Sequence, residues 1–222
     1  MNNVKDTIGW ADWTVNPVTG KCPNNCWYCY SNRMYDRFKW NPEIQYHPER
    51  LDEIAKLKKP SRIFVGSTHD LFGDWIPKEW ITEIIERLKP FRQHTFLFLT
   101  KKGRRYNEFI FCKNMLQGVT VTGEIGGENG IHNAYVPPKN SFVSFEPLLG
   151  DIPELFFPSL TSWVIIGAMT GHGKQYQPQQ EWIVDLVKRA EVRGIPIYMK
   201  SNLAEVWKPY KLIQEFPKGV PT

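Results

Sequence analysis

Hydrophobic and polar positions along the chain fall into two alternating patterns. In the first, short runs of β-branched and aromatic residues close on small or polar ones: Ile63–Gly66, Phe96–Thr100, Val119–Thr122, Phe142–Glu146, Trp163–Gly167 and Ile195–Lys200. Most are apolar at consecutive positions, the pattern of parallel strands covered on both faces. A further strand is predicted at about Trp13–Val18. In the second pattern apolar residues recur at helical spacing. Pro77 opens one helix, with Trp80, Ile81, Ile84, Ile85 and Leu88 on its apolar face. Pro178 opens another, with Trp182, Ile183, Leu186, Val187 and Ala190 facing inward and Gly194 placed to end it. Pro48–Lys59 makes a third, with Leu51, Ile54 and Ala55 on one side, and Arg104–Met115 a weaker fourth.

Strand alternating with helix implies right-handed βαβ units, an α/β fold with a parallel sheet. Six or seven strands in one domain of residues 1–222 predict an incomplete (βα)6–7 TIM-like barrel or an open doubly wound sheet, and periodicity does not choose between them. In both, ligands gather at the carboxyl ends of the strands. Polar residues collect at those ends: Asn16; Ser67, Thr68, His69 and Asp70; Thr100, Lys101 and Lys102; Thr122 and Glu124; Glu146; Gly167; Lys200 and Ser201. Of the histidines His69, His94 and His172, only His69 lies where catalysis is plausible. Gly123–Asn140 has four glycines in its first eight residues, then Pro137 and Pro138. It reads as a surface loop able to fold over a ligand, or equally as a passive connector.

Charge and cysteine usage narrow the chemistry. Lys and Arg exceed Asp and Glu by 28 to 23, a net charge of +5. That is too mild to mark a nucleic-acid binder by itself, though it suits an anionic ligand. No run of about 18 apolar residues argues for a membrane span. Met1–Asp6 is polar and lacks the apolar stretch of an export signal. A reduced, cytoplasmic chain is expected. Three of its four cysteines crowd into Cys22-Pro-Asn-Asn-Cys26-Trp-Tyr-Cys29, within a loop of about residues 20–32. An odd set without an export signal does not fit a disulfide framework. Soft thiolates favour zinc or iron–sulfur. Three ligands are too few to close a structural zinc site, whereas a 4Fe-4S cube on three thiolates keeps one iron open. A zinc site completed by Cys112, His47, His69 or His94 is the alternative.

The spacing Cys-x3-Cys-x2-Cys, with an aromatic before the last Cys, resembles the signature of radical S-adenosylmethionine (SAM) enzymes. Its place after a first strand and ahead of βα repeats is similar to that superfamily too. The stretches Trp13–Gly20, Ser67-Thr68-His69-Asp70-Leu71-Phe72, Phe98-Leu99-Thr100-Lys101, Phe145–Gly150 and Trp163–Gly167 resemble a phage-associated family of short radical-SAM-type proteins without assigned substrate. More distantly, the cluster is similar to that of the spore photoproduct lyases, which repair DNA. The resemblance implies that Cys22, Cys26 and Cys29 ligate three irons of a 4Fe-4S cluster. The fourth iron would take the amino and carboxylate groups of SAM, and one electron would release a 5′-deoxyadenosyl radical that abstracts hydrogen from substrate. An electron donor such as flavodoxin or ferredoxin is implied as a partner. Tyr28 would lie near the adenine.

The superfamily's Gly-Gly-Glu-like element after the second strand is replaced here by Ser67-Thr68-His69-Asp70, which puts Ser67, Thr68 and Asp70 forward as substitutes. Gly126-Gly127-Glu128 has the right letters after a later strand and reads as loop. Thr122 and Glu124 are candidates for the ribose hydroxyls. Glu146 and Gly167 would line the same mouth, unless Lys101 or Lys200 holds Glu146 in a structural ion pair. Lys101, Arg104 and Arg105 form a basic cluster able to hold phosphate, or a solvated helix start. Trp27, Tyr30, Tyr35, Phe38 and Trp40 suit base stacking, but shielding of the cluster and core are the preferred roles. Three readings follow: a radical SAM enzyme acting on nucleic acid or nucleotide, one acting on a peptide or protein, and a non-catalytic zinc or iron–sulfur module.

Overall fold

The computed structural model describes residues 1–123, 135, 140–154, 161–171 and 176–221. Glu124, Gly126-Gly127-Glu128, Pro137, Pro138 and His172 lie outside the described residues, as does most of the Gly123–Asn140 stretch. The fold is of the expected α/β class, an incomplete TIM-like barrel of mostly parallel strands. Two compact units make it up. No helix among the described residues is long and apolar enough to cross a membrane.

The first unit comprises residues 1–100 and 105–116 with Pro221. Its β1 (Asn2–Asn3) runs antiparallel to β2 (Trp13–Val15). Parallel to β2 lies β5 (Arg62–Val65), in register Trp13–Ile63 and Val15–Val65, and parallel to β5 lies β6 (Thr95–Thr100). All four residues of β5 are buried, which is why it reads as an unbroken apolar run apart from Arg62. That arginine is only 2% exposed and forks onto Asp12, with Nε at 3.1 Å and Nη2 at 2.6 Å from its two oxygens. Burial works to raise the Asp12 carboxyl, but the hydrogen bonds and charge of Arg62 leave it below its ordinary value. Helix α2 (Lys78–Leu88) joins β5 to β6 and buries Ile81, Ile84, Ile85 and Leu88, as its spacing predicts.

Between β2 and β5 the chain does more than hydrophobic period shows. The run expected as one strand, Trp13–Val18, breaks at Asn16-Pro17, because proline has no N–H to continue a ladder. Val18–Thr19 becomes β3, antiparallel to β4 (Gln45–Tyr46). The excursion from β3 to β4 carries the cysteines and α1 (Tyr30–Phe38). Pro48–Lys56 is a 3-10 helix rather than the α-helix expected to Lys59, with Leu51 and Ile54 buried. Arg104–Met115 is not a helix either. A 3-10 turn covers Gly103–Glu108, and Phe109 and Phe111 then leave helical spacing to join Phe98 and Tyr106 in a cluster of rings around Phe72.

The second unit comprises residues 101–104 and 117–220. In it β7 (Met115–Thr120, from Gln117 on), β8 (Ser141–Phe145), β9 (Trp163–Ile166) and β10 (Ile197–Met199) lie in sequence order, each parallel to the next. Strands β8, β9 and β10 are buried throughout. Helix α3 (Gln180–Val192) joins β9 to β10 and buries Ile183, Leu186, Val187 and Ala190. Gly194 follows at φ +63°, the left-handed turn that its place after the helix predicts.

Candidate functional site

The cysteine loop begins at Gly20, whose φ of +107° and close approach to the Glu43 carbonyl leave no room for a Cβ. Both its backbone groups are used. Its N–H donates to the Tyr35 hydroxyl at 2.7 Å, and its carbonyl lies 3.0 Å from Nδ1 of His69. Nε2 of His69 accepts from Trp75 Nε1 at 2.8 Å, so Nδ1 carries the proton and donates to Gly20. His69 is therefore neutral, 4% exposed, and spends both ring nitrogens on holding the loop rather than on catalysis. Burial lowers its pKa against the upward pull of the Gly20 carbonyl and Asp70.

From Cys22 onward the loop is set by turns and by one asparagine. Asn25 N–H donates to the Cys22 carbonyl at 3.2 Å, and Cys29 N–H to the Cys26 carbonyl at 2.9 Å. Cys29 is the N-cap of α1, and its Sγ accepts from the Asn32 N–H at 3.4 Å. The Asn32 side chain reaches back to the other end of the motif: Oδ1 accepts from Cys22 N–H at 3.1 Å, and Nδ2 donates to the Cys22 carbonyl at 3.2 Å. One buried residue thus fixes the first and last cysteines. Cys22 is buried, Cys26 and Cys29 are half-buried, and all three thiols are free of disulfides.

This loop is tied to the carboxyl ends of the parallel strands in its own unit. Asp70, after β5, accepts from Asn24 Nδ2 at 2.9 Å, from the Thr100 hydroxyl at the end of β6 at 2.6 Å, and from Phe72 N–H at 3.2 Å. Ser31 Oγ donates to the Thr68 carbonyl at 2.8 Å, and the Tyr30 hydroxyl to the Ser67 carbonyl at 3.1 Å. Asn16, after β2, accepts from Ser67 Oγ at 3.2 Å and Thr68 N–H at 3.3 Å. Hydrogen bonds thereby tie the loop of Cys22, Cys26 and Cys29 to Ser67, Thr68 and Asp70, and on that loop the Tyr28 ring meets Trp27 edge-on. Asn24 and Asn32 are not among the residues that the sequence puts forward. The available signal is Asn32 standing three residues after Cys29, the spacing at which an N-cap receives a backbone N–H.

In the second unit, Glu146 after β8 pairs with Lys200 after β10. Gly167 after β9 lies against both. A Cβ there would stand 2.9 Å from Glu146 Cδ and 3.0 Å from Lys200 Cδ. Thr122 is buried, and its carbonyl accepts from Leu149 N–H at 2.7 Å. Arg104 lies over the Tyr135 ring at 5.6 Å. Arg105 belongs to the first unit, where it donates to the carbonyls of Gly73 and Ile76, the latter at 2.5 Å. Its guanidinium thus braces a loop as well as adding charge.

Three thiols on one loop are soft ligands of the kind that zinc and iron–sulfur clusters take. Among the described residues no three His, Cys, Asp or Glu side chains stand together as ligands of one metal ion. The histidines nearest in sequence have other partners: His47 Nε2 lies 2.8 Å from the Thr19 hydroxyl, and His69 is used as above.

Comparison with known proteins adds the following. The family described as "Protein of unknown function (DUF5131)" matches residues 5–215. No curated protein matches the chain. Spore photoproduct lyase complexed with dinucleoside spore photoproduct is similar in structure, with a TM-score of 0.51 and 12% identity over 86% of this chain and 63% of that one. A mutant of the same enzyme with bound AdoMet and dinucleoside spore photoproduct gives a TM-score of 0.50 and 12% identity over 85% and 63%. At that identity the likeness is one of fold. The chain spans 57–63% of the length of the spore photoproduct lyase chains it matches.

Proposed function

We propose that the chain, which belongs to the DUF5131 family, is a radical SAM enzyme in which Cys22, Cys26 and Cys29 hold a 4Fe-4S cluster. The carrying observation is that one loop bearing three thiols outside any disulfide is tied, through Asn24 and Asp70, to the carboxyl ends of β5 and β6. The fold is that of an enzyme solved with AdoMet, which supports the reading. When bound, the cluster and SAM supply an electron and a carbon radical strong enough to take hydrogen from a C–H bond.

The chain's own residues bind and orient. Asn32 holds the first and last cysteines in register, and Asp70 holds the loop against the strand ends. Ser67, Thr68 and Asp70 are assigned to the polar groups of SAM, and Tyr28 to its adenine. Thr122, Glu146 and Gly167 of the second unit are assigned to further SAM contacts, as is Glu124 beyond the described residues. Lys101 and Arg104 are assigned to substrate phosphate, with Arg105 adding charge. A nucleic acid or nucleotide is the proposed substrate, in keeping with the dinucleoside ligand of the similar structures. A flavodoxin or ferredoxin is the proposed reductant.

Anaerobic reconstitution tests the reading. It requires about four irons per chain, held by three thiolates, and formation of 5′-deoxyadenosine from SAM and dithionite. A colourless zinc protein, or iron binding that survives loss of all three cysteines, overturns it.

A further inference from the structure

Four of the five rings expected to shield the cluster or build core lie at the surface. Trp27, Tyr30, Phe38 and Trp40 are 47–50% exposed, whereas Tyr35 alone of that set is buried. The other exposed large hydrophobics among the described residues, Ile110, Tyr176, Val192 and Tyr210, are far apart in sequence. Around α1 the rings are fixed by one another. Trp40 stacks on Phe38 at 5.4 Å and 23° and meets Tyr35 edge-on at 5.5 Å, and the Arg37 guanidinium lies 5.2 Å from the centre of the Phe38 ring.

The charge on this segment is net positive. Arg33, Arg37 and Lys39 lie on or just after α1, and its acidic residue, Asp36, is paired with Lys21 at 2.8 Å. From Arg37 to Trp40 cation and ring alternate position by position. Arginine and rings occur in both kinds of interface, but lysine is depleted at the centre of a protein–protein one, so Lys39 between Phe38 and Trp40 tells against a protein partner. Rings that stack on bases beside cations that neutralise phosphates are the means by which single strands are held without sequence preference.

We propose that the exposed side of α1, from Tyr30 to Trp40, binds single-stranded nucleic acid. The helix is capped by Cys29, so a strand lying along it would run up to the cysteine loop. The proposal rests on the reading of the chain as a radical SAM enzyme for its purpose, but the binding itself needs no cluster.

The test is fluorescence anisotropy of the full chain, without reconstitution, using a labelled oligothymidylate of roughly 15 nucleotides. Phe38→Ala and Trp40→Ala should each weaken binding by roughly 5- to 100-fold, with Trp40→Phe restoring most of it. Arg33→Ala and Arg37→Ala should each reduce the slope of log affinity against log salt by about 0.7. Quenching of tryptophan emission by the strand should be lost with Trp40. Four outcomes overturn the proposal: no binding, affinity unchanged in these variants, equal competition by polyglutamate, or a dimer in sedimentation that Phe38→Ala dissolves. The enzyme reading fails separately. Reconstituted protein that binds the strand through α1 but forms no 5′-deoxyadenosine keeps the surface and loses the radical chemistry, and the reverse result does the opposite.

Discussion

The two units hold their strand ends together by different means. In the first, neutral donors surround a single carboxylate: Thr100, Asn24 and the Phe72 N–H all point at Asp70. In the second, the Glu146 carboxylate is matched by the Lys200 cation. Directed hydrogen bonds fix position and orientation, and each needs its partner in one place. An ion pair with both side chains partly exposed, 21% and 14%, tolerates rotation and can exchange its partner for a ligand. The first arrangement suits a scaffold that must hold three thiols still. The second suits a polar element that can meet a charged group as it arrives.

The comparison breaks outright if the scaffold carries nothing. Cys29→Ser should leave α1 capped, since serine is a good N-cap, yet abolish retained iron and 5′-deoxyadenosine formation. Cys112→Ser should leave both intact. Iron analysis with a far-ultraviolet circular dichroism melt checks the pair, and equal iron in both variants would remove the assigned role.

Asp70 and Asn32 come next. Asp70→Ala leaves the Asn24 amide and the Thr100 hydroxyl without their acceptor, which costs about 1–3 kcal/mol. Asn32→Ala should cost a similar amount by freeing Cys22 N–H and carbonyl. A structural role alone predicts only lower urea midpoints. Positioning of the cysteines predicts in addition a changed electron paramagnetic resonance spectrum of the reconstituted cluster, measured where the variants are still folded. Asn32→Asp, which keeps the acceptor for Cys22 N–H, should recover part of the stability.

The first unit should also respond to pH through its buried histidines. Burial holds both His69 and His94 below the ordinary value of 6.5. In the unfolded chain they take up protons at that value, and the folded chain resists doing so. Their contribution is therefore complete above about pH 6.5 and is lost as pH falls below it. Urea midpoints should drop between about pH 7 and pH 5. His69→Gln, able to donate to Gly20 and accept from Trp75, should flatten part of that drop. A slope unchanged by the substitution would mean that His69 is not the group responsible.

Much of this was legible in the sequence, and the exceptions share a cause. Strands β5, β6, β8, β9 and β10 and helices α2 and α3 bury apolar side chains, and hydrophobic period finds them within a few residues. Helix α1 buries Ser31, Asn32 and Tyr35, so its inward face is polar or aromatic and no apolar stripe announces it. Missing that helix hid both the clamp by Asn32 and the exposure of Phe38 and Trp40. Ser67, Thr68, Asp70 and the cysteines were legible as a group because strand ends and spacing are local. What holds them together was not, since Asn24 and Asp70 are 46 positions apart. The false helix at Arg104–Met115 arose because Phe109 and Phe111 fit a helical window, while in the fold they serve the ring cluster around Phe72.

The smallest expected effect belongs to the second unit. Glu146→Gln removes an ion pair whose members keep contact with solvent, so its cost should be about 0–1 kcal/mol, well below that of Asp70→Ala. Gly167→Ala probes the same spot by volume. The new methyl would press on Glu146 Cδ and Lys200 Cδ, the movable ends of flexible side chains, and they can turn aside. The expected loss is about 1 kcal/mol, at the low end of overpacking. Glu146→Gln, which shortens nothing, should not relieve it, whereas Glu146→Ala should recover most of it by clearing the space. A double-mutant cycle on urea midpoints decides the matter. If Gly167→Ala costs as much when combined with Glu146→Ala as it does alone, the pair is not what the glycine makes room for. The flexible element of the second unit would then have to be sought elsewhere along its strand ends.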